Sequence, residues 1–182
     1  MITQMKTLLI ASLPVFLFLP LGAFAQATAA APPNPCAAAE QKQLDFWVGD
    51  WDLTWPGQKA GEIGHGTNHI QRILDGCVVQ ENFSGQATHL RGTSVSIFDV
   101  TAGKWKQTWV DNEGGYLDFV GGFKDGQMIL QRESTGKSGA TFLQRMVWKN
   151  ISANEFDWSW ESSKDAGNTW QVQWPIHYKR SR

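Results

Sequence analysis

Apolar and polar residues alternate along most of the chain in short runs, which is the period of a β-strand. In residues 155–161, Phe156, Trp158 and Trp160 fall on one face, and the acidic residues and the serine fall on the other. Residues 104–109 alternate in the same way. Glycine-containing turn signals separate these runs at intervals of about 8–12 residues, which is typical of a β-sandwich or β-barrel.

The pattern predicts ten strands and one short helix. The strands are expected to begin near Phe46, Ile63, Cys77, Leu90, Lys104, Tyr116, Gln127, Thr141, Glu155 and Thr169. One face of the last strand is expected to carry Trp170, Val172, Trp174 and Ile176. Only residues 36–44 favour a helix. Because a meander of this length exposes two edges unless it closes, we expect an all-β fold, an antiparallel up-and-down β-barrel of about ten strands, with a two-sheet sandwich as the alternative.

The first 25 residues have the pattern of a signal peptide. Lys6 supplies a positive charge, an apolar stretch covers residues 7–24, and residues 23–25 form a small-x-small cleavage site. We therefore expect cleavage after Ala25 and a periplasmic or secreted protein with no membrane anchor after cleavage. Residues 26–43 are expected to form a flexible leader with the short helix, and residues 44–182 a single barrel domain.

Two cysteines follow the predicted signal peptide, Cys36 and Cys77. An exported protein enters a compartment that permits disulfides, and two thiols allow one intramolecular pair. We predict this disulfide, with two free buried thiols as the alternative. It would join the leader to the barrel.

Charge and composition narrow the classes of partner. The chain has 16 Lys and Arg against 17 Asp and Glu, for a net charge of −1. Without a basic excess to neutralise phosphates, nucleic-acid binding is not expected. The ten tryptophans and ten phenylalanines are a large aromatic content for such a chain. A barrel must pack these rings into its interior or bind something among them.

Gly49 and Trp51, in the segment Phe-Trp-Val-Gly-Asp-Trp, match the Gly-x-Trp element of lipocalins and other calycins. The chain resembles that superfamily, which implies a lipocalin-like barrel. The resemblance also implies that a basic residue of the last strand, Arg180 or Lys179, packs across Trp51. A second resemblance, to a family of bacterial exported proteins of unknown function, covers nearly all of the mature chain and implies no activity. It rests on residues 46–51, 73–77, 109–116 and 174–178.

Polar side chains that share a predicted face with aromatic residues are the candidates for ligand binding. If these faces point inward, the barrel holds an aromatic cavity with a few polar groups, as small-molecule sites usually do. Arg132 is suited to a ligand carboxylate, and pairing with Glu81 or Asp111 in the core is its alternative role. The candidate ligand-binding residues are Glu81, Trp105, Gln107, Trp109, Asp111, Arg132, Gln144 and Trp158.

Metal and cofactor sites are not predicted. His65 and His69 would lie about 13 Å apart on a strand, which is too far for one zinc ion. His177 lies late in the chain, where some haem-binding barrels carry a histidine, but the alternation places it opposite Trp174 and Ile176. A bulge at Pro175, which proline in a strand often marks, is the alternative and would reverse this orientation. Haem binding is therefore the less favoured hypothesis, and no cofactor is expected.

The sequence favours an exported barrel that binds a small apolar or amphipathic molecule in an aromatic-lined cavity. No familiar catalytic motif is present, so a binding protein is favoured over an enzyme. The first alternative is an enzyme that uses Asp111 or Glu81 as acid or base in the same cavity. The second is a barrel with a packed interior that acts through its surface as an envelope interaction module.

Overall fold

Ten antiparallel strands form a closed barrel in the computed structural model, which describes Asn34, residues 36–86 and residues 88–182. Each strand pairs with its neighbours in the chain, and β1 pairs with β10 to close the sheet. The predicted up-and-down barrel is confirmed. The strands are β1 (Gly49–Pro56), β2 (Ile63–Ile73), β3 (Val78–Gly85), β4 (Arg91–Asp99), β5 (Lys104–Asp111), β6 (Tyr116–Lys124), β7 (Gln127–Thr135), β8 (Thr141–Lys149), β9 (Glu155–Ser163) and β10 (Gln171–Arg180).

Two short 3₁₀ helices, Ala39–Lys42 and Asp45–Trp47, precede the first strand. The first strand therefore begins at Gly49, later than the predicted Phe46. Leu44 and Trp47 are buried, because this segment lies over one end of the barrel. We call residues 39–47 the plug. No helix in the described part of the chain is long and apolar enough to cross a lipid bilayer.

A disulfide between Cys36 and Cys77 fastens the chain just before the plug to the turn between β2 and β3. This confirms the predicted pairing. Arg72 of β2 adds a polar attachment, since its guanidinium donates to the Gln41 carbonyl and to the Gly76 carbonyl at 2.7 Å each. The plug is thus held both covalently and by hydrogen bonds.

The last strand ends beside the plug, where Arg180 lies across Trp51. The guanidinium carbon of Arg180 is 4.2 Å from the centroid of the Trp51 ring. The same side chain donates to the carbonyls of Val48 at 3.1 Å and Phe46 at 3.4 Å. The φ of Gly49 is +134°, a conformation that favours glycine, and the Arg180 guanidinium occupies the space beside it, 2.2 Å from where a Cβ would lie. Arg180 Nε also donates to the Ala153 carbonyl at 3.0 Å, so this side chain joins four parts of the chain: β1, β10, the end of the plug and the turn between β8 and β9.

The alternation of β10 is interrupted by an extra residue. Its pairing with β9 shifts between Val172 and Trp174, so Val172 points outward and is 52% exposed. Trp170 lies outside the barrel, with its ring centroid 3.9 Å from the guanidinium carbon of Arg145. The prediction that Trp170 and Val172 share a face with Trp174 is therefore wrong. A bulge changes the period of one strand and leaves no mark in the apolar pattern.

A candidate ligand-binding cavity

A cavity of about 260 Å³ lies inside the barrel. Trp148 forms part of its wall and also packs against Trp47 of the plug, with ring centroids 5.3 Å apart, so the plug closes this end. Leu90, Asp111 and Leu117 are half-buried wall residues at strand ends opposite the plug. The cavity therefore opens at the end of the barrel remote from the plug, and we call this opening the mouth.

Aromatic rings make up most of the cavity wall. They pack edge to face, as in Phe119 against Trp160 at 5.7 Å, and such contacts hold rings in fixed orientations. Phe83 contacts Trp174 in the same way at 5.9 Å. Five of the wall residues are tryptophans: Trp109, Trp148, Trp158, Trp160 and Trp174.

A glycine on the neighbouring strand sets the position of Trp109. A Cβ at Gly92 would lie 2.0 Å from the indole ring, so the ring can lie against the backbone only because the side chain is missing. The indole is packed between the β4 backbone at Gly92 and the ring of Phe83, whose centroid is 6.1 Å away, and it lines the cavity from there.

Glu81 is the buried carboxyl group of the wall, with a relative exposure of 7%. Asn68 Nδ2 donates to one carboxylate oxygen at 2.7 Å, and Ser94 Oγ donates to the other at 2.6 Å. Burial raises the pKa of Glu81 above its usual 4.5, and these two hydrogen bonds offset only part of the effect. The site thus holds a carboxyl group whose ionisation is costly.

Tyr178 of β10 joins the hydrogen-bonded cluster of Glu81, Asn68 and Ser94, although β1 lies between β10 and β2. Asn68 Nδ2 also donates to the Tyr178 hydroxyl at 3.1 Å. Burial, together with the charge of Glu81, raises the pKa of Tyr178 well above its usual range. Tyr178 is therefore a neutral phenol at neutral and acidic pH.

Asp111 stands at the mouth with its oxygens already occupied. Trp109 Nε1 donates to Oδ2 at 2.9 Å, and the backbone amides of Gly115 and Glu113 donate to Oδ1 at 2.8 and 3.0 Å. Partial burial acts to raise the pKa of Asp111, but these hydrogen bonds outweigh it and the pKa is lowered. Asp111 is thus a fixed, ionised carboxylate and a poor base.

The structure brings four of the predicted ligand-binding residues together in the cavity wall: Glu81, Trp109, Asp111 and Trp158. Trp105 and Gln107 instead belong to the packed interior. Trp105 Nε1 donates to Gln43 Oε1 at 3.1 Å, and Gln107 Nε2 donates to Ser96 Oγ at 2.9 Å. Both are fully buried, and neither lines the cavity.

Arg132 and Gln144 lie outside the cavity wall and bind each other. Arg132 Nη1 donates to Gln144 Oε1 at 3.0 Å, and the guanidinium carbon is 6.0 Å from the centroid of Phe119. The alternative in which Arg132 pairs with Glu81 or Asp111 is therefore not the observed arrangement. A neutral amide and an aromatic ring are its neighbours instead.

Several wall residues were not among the predicted site residues. Trp160 shares its predicted face with Trp158, so the alternation contained a signal for it. Tyr178 shares its predicted face with Trp174 and Ile176, so the alternation contained a signal for it too. Asn68, which binds Glu81 across the β2–β3 pair, carried none, and its contact with Tyr178 forms only because β1 pairs with both β2 and β10. The β1–β10 pairing joins segments far apart in the sequence.

The histidines considered for metal or haem lie on the outer face. His69 Nδ1 is 2.5 Å from Asp50 Oδ1, and His177 Nδ1 is 2.9 Å from Asp157 Oδ1. His65 is exposed as well. Across residues 36–86 and 88–182 with Asn34, no group of three His, Cys, Asp or Glu side chains is placed to hold a metal ion.

Comparison with known protein families and with curated proteins finds no match to the chain. The geometry of the cavity suits non-covalent binding of a compact molecule, because apolar walls surround one buried carboxyl group.

Proposed function

We propose that this protein is an exported, lipocalin-like barrel that binds a small apolar or amphipathic molecule in its aromatic cavity. The observation that carries the proposal is the cavity of about 260 Å³ with five tryptophans in its wall. A barrel that served only as a scaffold would fill this space with side chains. The cavity therefore weighs against the packed-interior alternative.

The cavity volume limits the size of the ligand. An apolar cavity of about 150 Å³ is enough for benzene, so 260 Å³ suits a group of about ten non-hydrogen atoms. A longer molecule would leave its remainder outside the mouth. We therefore favour compact ligands over fully enclosed long chains.

Export is supported by the disulfide, because such bonds persist in oxidising compartments. The proposed signal peptide, residues 1–25, lies outside the described residues. Mass spectrometry of the exported protein tests it, with a chain that begins at Gln26 as the expected result. Recovery of the protein only in the cytosol, with residues 1–25 retained, would contradict export.

Calorimetric titration with three compounds of nearly equal size tests ligand binding: phenyltrimethylammonium, tert-butylbenzene and benzenesulfonate. We expect saturable one-to-one binding of at least one of them. Leu117→Trp and Leu90→Trp place a large ring in the cavity and should abolish that binding. Val120→Trp, on the outer face of the strand that carries Leu117, is the matched control and should bind normally.

Folding of each variant is checked by far-ultraviolet circular dichroism and thermal unfolding. Failure of the wild-type protein to bind any of the three compounds would overturn the proposal. So would equal binding by folded Leu117→Trp, Leu90→Trp and Val120→Trp, because the ligand would then lie outside the cavity.

An enzyme in which Glu81 acts as general acid or base is the second candidate function. The raised pKa of this carboxyl group is the observation that favours it, since acid–base residues often carry such shifts. Conversion of a bound compound by the wild-type protein, with loss of conversion but not of binding in Glu81→Gln, would support it. Binding without any conversion would leave the binding protein as the function.

A further inference from the structure

We infer that the ligand is a compact organic ammonium cation, held between tryptophan faces and the carboxylates of Glu81 and Asp111, an inference that rests on the proposed function. It names the charge and the chemical class of the molecule in the cavity. Three independent features of the wall lead to it: the large number of tryptophans, the negative charge of its ionisable groups, and the hydrogen bond from Trp109 to Asp111.

Tryptophan is the aromatic residue that attracts cations most strongly, because the face of its ring carries partial negative charge. Apolar packing alone would be served as well by leucine, valine or phenylalanine. The wall instead contains five tryptophans, half of the ten in the whole chain. A cation among several such rings is attracted by each face that it touches.

The charged groups of the wall are negative. Glu81 and Asp111 line the cavity, and among the described wall residues there is no lysine, arginine or histidine. Arg132 lies outside the wall but keeps its charge, since its acceptor Gln144 is neutral, and its guanidinium carbon is 6.0 Å from the ring of the wall residue Phe119. At the wall itself an anionic ligand would meet two carboxylates, whereas an ammonium group would offset the cost of burying the Glu81 charge.

The hydrogen bond between Trp109 and Asp111 strengthens the attraction for a cation. Trp109 Nε1 donates to the Asp111 carboxylate at 2.9 Å, which draws negative charge toward the indole ring. Gly92 lets the six-membered ring of Trp109 lie against the backbone, and Phe83 packs on the same indole at 6.1 Å, so the ring is held in place beside the cavity. Trp109 and Asp111 thus form a fixed cation-binding pair near the mouth.

The three test compounds separate charge from shape. At pH 7.5, phenyltrimethylammonium should bind at least about tenfold more tightly than tert-butylbenzene, its neutral isostere. Benzenesulfonate should bind most weakly of the three. If tert-butylbenzene or benzenesulfonate binds as tightly as the cation, the inference fails while the proposed function stands. If none of the three binds, both fail.

Glu81→Gln tests the charge of the buried carboxyl group. Glutamine can keep both hydrogen bonds, since its oxygen accepts from Asn68 and its amide donates to the Ser94 hydroxyl. We expect affinity for phenyltrimethylammonium to fall about tenfold and affinity for tert-butylbenzene to stay unchanged. Glu133→Gln, an equal change of charge on the exposed face of β7, should alter neither.

An equal loss of affinity for both compounds in Glu81→Gln would overturn the inference, because the residue would then act only through the shape of the cavity. The pH dependence gives a second readout. The groups facing Glu81 are Asn68, Ser94 and Tyr178, and none of these becomes charged at or below pH 7.5.

Affinity for the cation should therefore fall as the pH is lowered from 7.5 toward 4.5 and Glu81 takes up a proton, while Asp111 stays ionised. Affinity for tert-butylbenzene should stay constant over the same range. Cation affinity that is independent of pH in this interval, or that rises toward low pH, would count against the inference.

Discussion

Glu81 is an acid in a place where charge is poorly solvated. Its pKa is raised in the folded protein, so the fold binds the Glu81 proton more tightly than the unfolded chain does. Below the pKa that Glu81 has in the unfolded chain, the tightly bound proton makes its full contribution to the free energy of unfolding. This contribution is lost as the pH rises through the raised pKa of Glu81 in the folded protein.

Glu81→Gln should therefore become more stable relative to wild type as the pH rises from 4.5 to 8. Thermal unfolding of both proteins at the two pH values measures the change, and each 1 kcal/mol corresponds to about 2–4 °C in Tm. Glu133→Gln, the same substitution on the exposed face of β7, is the control. A constant gap for Glu81→Gln would contradict the raised pKa.

Arg180 combines a ring contact with hydrogen bonds to two carbonyls near the plug. We expect Arg180→Met to lower the free energy of unfolding by about 2–3 kcal/mol, because the carbonyls lose a charged donor while the apolar stem is kept. Urea unfolding measures this change. Lys179→Met, on the exposed face of the same strand, is the control and should shift stability by less than about 0.5 kcal/mol.

At the scale of elements, the plug depends on its covalent attachment. Cys36 and Cys77 are 41 residues apart, and in the chain-entropy model a loop of this length contributes about 4 kcal/mol. The double variant Cys36→Ser with Cys77→Ser should lose about this much in urea unfolding. Reductant should lower the stability of the wild type to the level of the variant and leave the variant unchanged; a reductant effect on the variant would point to another cause.

The strands could be predicted because their information is local. Alternation and turn glycines determine where a strand begins, and Lys104, Tyr116, Gln127, Thr141 and Glu155 all begin strands as predicted. The bulge between Val172 and Trp174 could not be predicted, since an added residue is defined only by the partner strand. The apolar pattern therefore predicted the positions of the strands better than the register in which they pair.

The same difference between local and long-range information explains how much of the candidate site could be predicted. Alternation showed that Gln107 and Trp109 face inward, but it could not show that one lies in packed interior and the other beside a cavity. That difference depends on tertiary packing: Gln107 is bound to Ser96 in the filled interior, whereas Trp109 packs on Gly92 and Phe83 beside the cavity. Other contacts of the site join residues much farther apart in the sequence, such as Asn68 and Tyr178.

For the whole molecule, closure removes the edges that a two-sheet sandwich would expose. Hydrogen exchange should therefore find the amides of β1 and β10 protected as well as those of β4 and β5, because each strand has two neighbours. Mass spectrometry of peptides covering these strands measures the protection. Fast exchange confined to β1 and β10 would indicate that the barrel is open between them in solution.

The plug at one end of the barrel and the mouth at the other make the cavity a chamber with a single opening among the described residues. In the proposed binding mode, a ligand enters and leaves through the mouth, and the chamber has room for about ten of its non-hydrogen atoms. The rest of a longer ligand would stay in solvent, so such a protein would select ligands by their terminal group and not by their length. A solid support that carries the right end group on a tether should then bind the protein about as tightly as the free compound does.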